Sequence, residues 1–157
     1  MRKHVLCLSI GLSLAGVAAA QTAPVETART ARLAPTLPSG ALDEEAIKTS
    51  IANAGYKEVK GLNFDDGVWE TEARGGDDNW VDLRVAPITG KVYPENAPSR
   101  LNSEEIEAKL AAAGYQNIHD VDFDDGLWSV DAENARGDNV DLLVDPDDGS
   151  VVAEELD

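Results

Sequence analysis

Two stretches of the chain, residues 42–92 and 101–151, carry the same order of hydrophobic and polar positions. They align at a constant offset of 59 residues without a gap, and 20 of the 51 aligned positions are identical. The identical positions are mainly apolar residues, glycines and turn residues, so the repeat indicates a shared fold rather than a shared chemistry. The folding unit is therefore about fifty residues long and occurs twice.

Each repeat begins with a pattern typical of a helix. Asp43 and Asn102 stand at the N-cap, where a side-chain oxygen accepts hydrogen bonds from free backbone amides. Gly55 and Gly114 follow the pattern and predict its end, because glycine tolerates a left-handed backbone there. The apolar residues that recur at helical spacing are Ile47, Ile51 and Ala54, with Ile106, Leu110 and Ala113 as their counterparts.

Three short strands are predicted after each helix. In the first copy, Phe64 and Trp69 flank the pair Asp66-Gly67, which is a strong signal for a tight hairpin turn. Residues 81–85 alternate as a third strand, and a Pro-x-x-Gly turn then precedes a last short apolar step. The second copy repeats this order. We predict the α+β fold class, with two tandem α-β-β-β units, each a helix packed on one face of a three-stranded antiparallel meander.

The segments outside the repeats differ from them in composition. The N-terminus has a basic start, an apolar run and three alanines ending at Ala20, the order of a secretory signal peptide. Its apolar run is too short for a stable membrane anchor, which needs about 20 apolar residues. We therefore expect cleavage near Ala20 and a periplasmic or secreted protein. The predicted organisation is a signal peptide (1–20), an Ala/Thr/Pro-rich flexible tether (21–40), repeat 1 (41–93), a linker (94–100) and repeat 2 (101–157).

The chain is strongly acidic. Removal of residues 1–20 would leave no cysteine and 30 acidic against 11 basic side chains, a formal charge of −19. Nucleic acid is not expected as a partner, because phosphate contacts need Lys and Arg. The charge is also uneven, with −6 over residues 41–99 and −14 over residues 100–157. The second repeat is the acidic copy.

The order of motifs in each repeat resembles a known family. Helix, Gly-Tyr, Phe-Asp-Asp-Gly-x-Trp, Val-Asp-Leu-x-Val and Pro-x-x-Gly-x-Val together are similar to the small form of the PepSY domain, over both copies. Residues 145–149, Asp-Pro-x-x-Gly, are among the most telling pieces, and the first copy departs there with Ala86 in place of the aspartate. The resemblance implies an exported, non-enzymatic protein-binding or regulatory module that either inhibits or modulates an envelope or secreted peptidase or binds other proteins of the cell envelope. The family offers no catalytic residues to transfer.

Residues suited to catalysis are scarce. Without the signal peptide, the chain has no Cys and one His, His119, whose counterpart is Lys60 and which we interpret as a solvent-facing polar position. One His and no Cys also serve zinc poorly. Acids on a small meander lack the cleft that separates the pKa values of a catalytic pair. We therefore predict no enzyme, and a small hydrolase is only the third hypothesis.

Four aspartates of repeat 2 are candidate cation ligands. The hairpin register predicts Asp120 opposite Asp131 on the face away from the helix, with Asp122 nearby and Asp141 pointing the same way. Like charges directly opposed across strands are destabilising. The face is either solvated and tolerated or a surface for cations or a basic partner. No cofactor is expected in the first case, and calcium is expected in the second, which makes an acidic cation-binding envelope protein the alternative function.

The outer face of repeat 1 carries candidates for contact with a protein partner. Trp80 replaces Asn139 of the second copy and points with Arg84 away from the helix. Val68 and Leu127 also point outward, each in its own copy. These four residues either anchor an envelope or secreted partner, such as a peptidase, or bury one copy against the other.

Overall fold

The computed structural model describes residues 36–157, in which two antiparallel four-stranded sheets follow one another along the chain. The sheets have the strand orders β1-β2-β3-β4 and β5-β6-β7-β8. The elements are α1 (Glu44–Asn53), β1 (Lys57–Asp65), β2 (Val68–Arg74), β3 (Trp80–Val85), β4 (Val92–Pro94), α2 (Ser103–Ala113), β5 (Gln116–Asp124), β6 (Leu127–Glu133), β7 (Asn139–Val144) and β8 (Val151–Leu156).

The predicted α+β class, with a helix on an antiparallel meander in each of two tandem units, is confirmed. Each meander has four strands rather than three. The predicted last apolar step forms the extra strand, which is only three residues long in Val92–Pro94 and too short to show alternation. The predicted signal peptide and residues 21–35 of the predicted tether lie outside the described residues. Within the described part, no helix is long and apolar enough to cross a bilayer.

Local signals place the helices and hairpins as predicted. The Asp43 carboxylate accepts the amide of Ala46 at 2.9 Å, and Asn102 forms a full capping box with Glu105. Gly114 follows α2 with φ at +103°. Both residues of each Asp-Gly turn have positive φ, as a tight two-residue hairpin requires.

Each unit has its own core between the helix and one face of the sheet. Trp69 meets Phe64 edge-on, with ring centroids 5.6 Å apart, and Trp128 lies 5.3 Å from Phe123. The buried residues are Ile47, Ile51, Trp69, Ala73, Leu83 and Val85 in the first core, and Ile106, Leu110, Trp128, Val130, Ala132, Val140, Leu142 and Val144 in the second. These residues include the predicted helix positions Ile47, Ile51, Ile106 and Leu110.

A third apolar cluster lies between the two units, and we call it the inter-repeat cluster. It consists of Val68, Ala86, Tyr93 and Leu127, against which Leu143, Val152 and Ala153 pack. Val68 and Leu127 are equivalent positions of the two repeats, and both are fully buried. They therefore pack one copy against the other, the second of their two predicted roles, and are not exposed anchors.

The hairpin turn of each unit contacts the last strand of the other unit. A Cβ added to Gly126 would lie 2.5 Å from the Pro94 carbonyl oxygen, and one added to Gly67 would lie 2.6 Å from the Ala153 Cβ. Pro94 and Ala153 are themselves equivalent positions, 59 residues apart. The two contacts are therefore related by an approximate twofold exchange of the repeats. Glycine is required in both turns for this approach and for positive φ.

A buried aspartate also joins the units. The Asp145 side chain accepts hydrogen bonds from the Tyr93 hydroxyl at 2.8 Å and from the Lys91 ammonium at 2.6 Å, both in repeat 1. Its other oxygen accepts hydrogen bonds from the backbone amides of Asp147 at 2.8 Å and Asp148 at 3.3 Å. Burial raises the pKa of Asp145, but the hydrogen bonds from Lys91, Asp147 and Tyr93 outweigh burial and lower it. The Asp-Pro-x-x-Gly motif thus closes a turn and holds the other repeat.

Candidate functional site

The sheet faces away from the helices carry different charges in the two units. A line of directly paired residues crosses strands β5 to β8, one from each strand, and we call it the acidic row: His119, Asp131, Asp141 and Glu155. The equivalent line of repeat 1 begins with Lys60, Glu72 and Asp82. The same scaffold therefore presents mixed charge in one copy and carboxylates in the other.

The pairing of β5 with β6 corrects the predicted register. His119, not Asp120, lies opposite Asp131, and Asp122 lies opposite Ser129. Asp120 has φ at +49° and occupies a β-bulge, which adds one residue to the strand and shifts its pairing. The prediction that Asp120 opposes Asp131 is therefore wrong. Gly61, at the same bulge in repeat 1, was the available signal, because a glycine inside a strand often marks a bulge.

The acidic row places three carboxylates side by side with no Lys or Arg among them. Asp131 lies opposite Asp141, which lies opposite Glu155. Within the part of the chain that the structure describes, no Lys or Arg forms a salt bridge with any of the three. Burial raises the pKa of Asp141, and the charges of Asp131, Asp157 and Asp66 raise it further. These groups line a groove of about 450 Å³.

The corresponding groove of repeat 1 contains an arginine. The Arg84 guanidinium lies 3.2 Å from the Asp125 carboxylate of repeat 2 and 3.4 Å from Glu70. Leu143 occupies the equivalent position in repeat 2. Arg84 thus forms a salt bridge between the units, and its charge is balanced by carboxylates of the same chain.

His119 faces two carboxylates at the edge of the acidic row. Its Nδ1 lies 3.6 Å from an Asp120 oxygen and 3.7 Å from an Asp131 oxygen. One donor atom from each of the three residues lies within 4.8 Å of the others. The His119 side chain is 63% exposed, as expected for a solvent-facing position. The bulge gives it acidic neighbours that the predicted register did not.

Trp80 remains on the outer surface and is 40% exposed. The Lys60 ammonium lies 3.7 Å from the indole ring centroid, and the Arg74 guanidinium carbon lies 5.8 Å from it. Such cation–π contacts contribute about 0.5–1 kcal/mol each at exposed sites and favour this orientation of the indole. Lys60 also pairs with Glu72 at 3.1 Å. We call Lys60, Glu72, Arg74 and Trp80 the Trp80 patch.

Comparison with known proteins assigns the family. The family model described as "Peptidase propeptide and YPEB domain" matches the chain twice, over residues 5–96 and 94–155. The chain belongs to the PepSY family. Each match contains one of the two structural repeats, so each unit is one PepSY copy. No curated protein and no solved structure matches the chain. PepSY domains are in general non-catalytic propeptide or regulatory modules, typically of extracellular or envelope proteins.

The structure brings some of the predicted site residues together and separates others. Asp131 and Asp141 are direct neighbours, Asp120 joins them through the bulge, and Asp122 lies apart on an exposed position. Sequence reasoning missed Glu155 and Asp157, because β8 was predicted only as a short apolar step. Of the interaction candidates, Trp80 alone stays exposed, while Arg84, Val68 and Leu127 contribute to contacts between the units.

Proposed function

We propose that the protein is an exported, non-enzymatic module that binds an envelope or secreted peptidase and restrains it. The observation that carries the proposal is the double match to a family described by peptidase propeptides. The signal-peptide pattern of residues 1–20 supports export. A propeptide-like module acts by occupying a surface of its peptidase, so the unit needs an exposed anchor rather than catalytic groups.

The Trp80 patch is the surface that best fits this role. Tryptophan is enriched among the few residues that contribute most of the binding energy of protein interfaces. The indole is held by Lys60 and Arg74, so little side-chain entropy is lost when a partner covers it. The other candidates are used between the two units, which leaves Trp80 as the anchor available to a partner.

We expect the purified protein to slow hydrolysis of labelled casein by the exported protein fraction of its host. The variant Trp80→Ala should need roughly thirty-fold more protein for the same inhibition, since an anchor residue contributes about 2 kcal/mol or more. Ile88→Ala is the control, because Ile88 is also exposed but lies outside the patch. Equal inhibition by the two variants would remove Trp80 from the contact, and no inhibition by the wild type would refute the proposal.

An acidic cation-binding protein is the second candidate function. The observation that favours it is the line Asp131, Asp141 and Glu155, where three carboxylates meet and no Lys or Arg of the described structure forms a salt bridge with them. Calcium binds to sets of oxygen ligands of this kind. Burial and then the neighbouring carboxylates raise the pKa of Asp141, and a bound cation would relieve the second of these causes. The titration described in the next subsection includes calcium as a separate arm.

A further inference from the structure

We propose that His119, Asp120 and Asp131 form a binding site for a divalent transition-metal ion such as Zn²⁺. The site lies at the bulge of the outer strand β5. This proposal rests on the cation-binding candidate only through one shared ligand, the carboxylate of Asp131. It adds a nitrogen ligand and a different class of ion. It does not depend on a peptidase partner.

The distances suit three ligands around a common ion. The Nδ1 of His119 lies 3.6 Å from Asp120 and 3.7 Å from Asp131, beyond the ~2.7–3.2 Å of an N–H···O hydrogen bond. Ligands bound to Zn²⁺ at ~2.0–2.2 Å in a tetrahedron lie roughly 3.3–3.6 Å apart. The observed separations are close to that edge length. The imidazole nitrogen favours Zn²⁺, Cu²⁺ or Ni²⁺ over Ca²⁺ and Mg²⁺.

The β-bulge explains why these three side chains converge. A regular antiparallel pair sets one residue opposite one residue, and successive side chains point to opposite faces. A bulge sets two residues of one strand opposite one residue of its partner. Asp120, with φ at +49°, is the extra residue, so His119 and Asp120 both approach Asp131. The ligand set is therefore a product of the fold.

The first repeat has a lysine ammonium at the equivalent position. Its strand β1 has the same bulge, with Gly61 at φ +71°, and the residues equivalent to His119 and Asp131 are Lys60 and Glu72. The Lys60 ammonium lies 3.1 Å from the Glu72 carboxylate. Repeat 2 replaces this tethered cation with an imidazole and replaces Gly61 with a second carboxylate. The change supplies one nitrogen ligand and one oxygen ligand that repeat 1 lacks.

The surroundings favour a positively charged ligand. A groove of about 110 Å³ adjoins His119 and Asp131 and also carries the carboxylates of Asp141 and Asp157. These two groups are not part of the three-residue cluster, but their charge raises the local concentration of cations. Because His119 and Asp120 are exposed, solvent water would complete the coordination of an ion held by three protein ligands.

The test is a titration of the exported chain, purified without a histidine tag, with Zn²⁺ and separately with Ca²⁺. We expect Zn²⁺ to bind with one-to-one stoichiometry in calorimetry, to raise the unfolding temperature and to shift the His119 imidazole signal in NMR spectra. His119→Ala and Asp131→Asn should each weaken Zn²⁺ binding at least tenfold. Asp122→Asn, on the same strand but outside the cluster, should change it less than twofold.

The outcomes separate the two cation proposals. Zn²⁺ affinity that is unchanged in His119→Ala, or no Zn²⁺ binding by the wild type, would overturn the metal site. Because His119 is exposed, His119→Ala should unfold at the same temperature as the wild type when both are free of metal. This comparison distinguishes a loss of metal binding from a loss of folding. A Ca²⁺ response that persists in His119→Ala would support the calcium candidate alone. A Zn²⁺ response without a Ca²⁺ response would support the imidazole site alone.

Discussion

Replacing Asp145 with alanine is expected to lower the free energy of unfolding by about 3–4 kcal/mol. The Asp145 carboxylate is only 2% exposed and accepts hydrogen bonds from Tyr93 and Lys91 of the other unit. The variant leaves the Tyr93 hydroxyl buried without its acceptor and frees two turn amides. Equilibrium unfolding in urea, followed by circular dichroism, measures the change.

The matched control is Asp147→Ala. Asp147 also contacts Lys91, at 2.9 Å, but it is exposed, so its loss should cost less than ~1 kcal/mol. Because the pKa of Asp145 is lowered in the folded state, its stabilisation is present above the unfolded pKa of ~3.9 and is lost as the pH falls through the folded pKa. The gap between wild type and Asp145→Ala should therefore shrink below about pH 4. Equal destabilisation by both variants would contradict the role given to Asp145.

Replacing Leu127 with alanine is expected to destabilise the protein by about 3 kcal/mol. Leu127 is 1% exposed in the inter-repeat cluster, and its truncation leaves a cavity against Val68 and Tyr93. Leu156→Ala is the control, since Leu156 is 68% exposed and its change should stay within ~0.5 kcal/mol. Urea unfolding again gives the difference. A Leu127→Ala variant as stable as the control would show that the two units do not depend on this contact.

The parts of the fold set by neighbouring residues could be predicted from the sequence. The N-caps at Asp43 and Asn102 and the Asp-Gly turns depend on a few adjacent residues, and the structure has them where the pattern placed them. The exposed Trp80 also follows from its outward position in the strand. Strand β4 was missed because three residues ending in proline carry no periodic pattern.

The parts set by contacts distant in sequence could not be predicted. Alternation placed Val68 and Leu127 on the outer face, but it does not tell which outer residues the other repeat covers. The register of β5 depends on one bulged residue, Asp120, which alternation does not reveal. Because of this bulge, His119 lies opposite Asp131 and belongs to the acidic cluster. The sequence identifies Asp145 only as part of the Asp-Pro-x-x-Gly motif. Its hydrogen-bond partners Tyr93 and Lys91 lie more than fifty residues away, so the contact could not be predicted.

The two units share a scaffold and differ in their outer surfaces. The positions identical between the repeats are mainly apolar residues, glycines and turn residues, and the hairpin tips that join the units are among them. The differing positions place an aromatic residue with two cations on one sheet and an imidazole with carboxylates on the other. The two proposals use these differing surfaces, the Trp80 patch for a protein partner and the His119 cluster for a cation.

The proposal that this chain restrains an exported peptidase is tested most directly by measuring exported proteolysis in host cells that lack the chain. Casein hydrolysis by the exported fraction of such cells should exceed that of the parent strain. It should return to the parent level when the wild-type chain is restored, but not when Trp80→Ala is restored at equal abundance. Exported proteolysis that is the same with and without the chain would contradict the account.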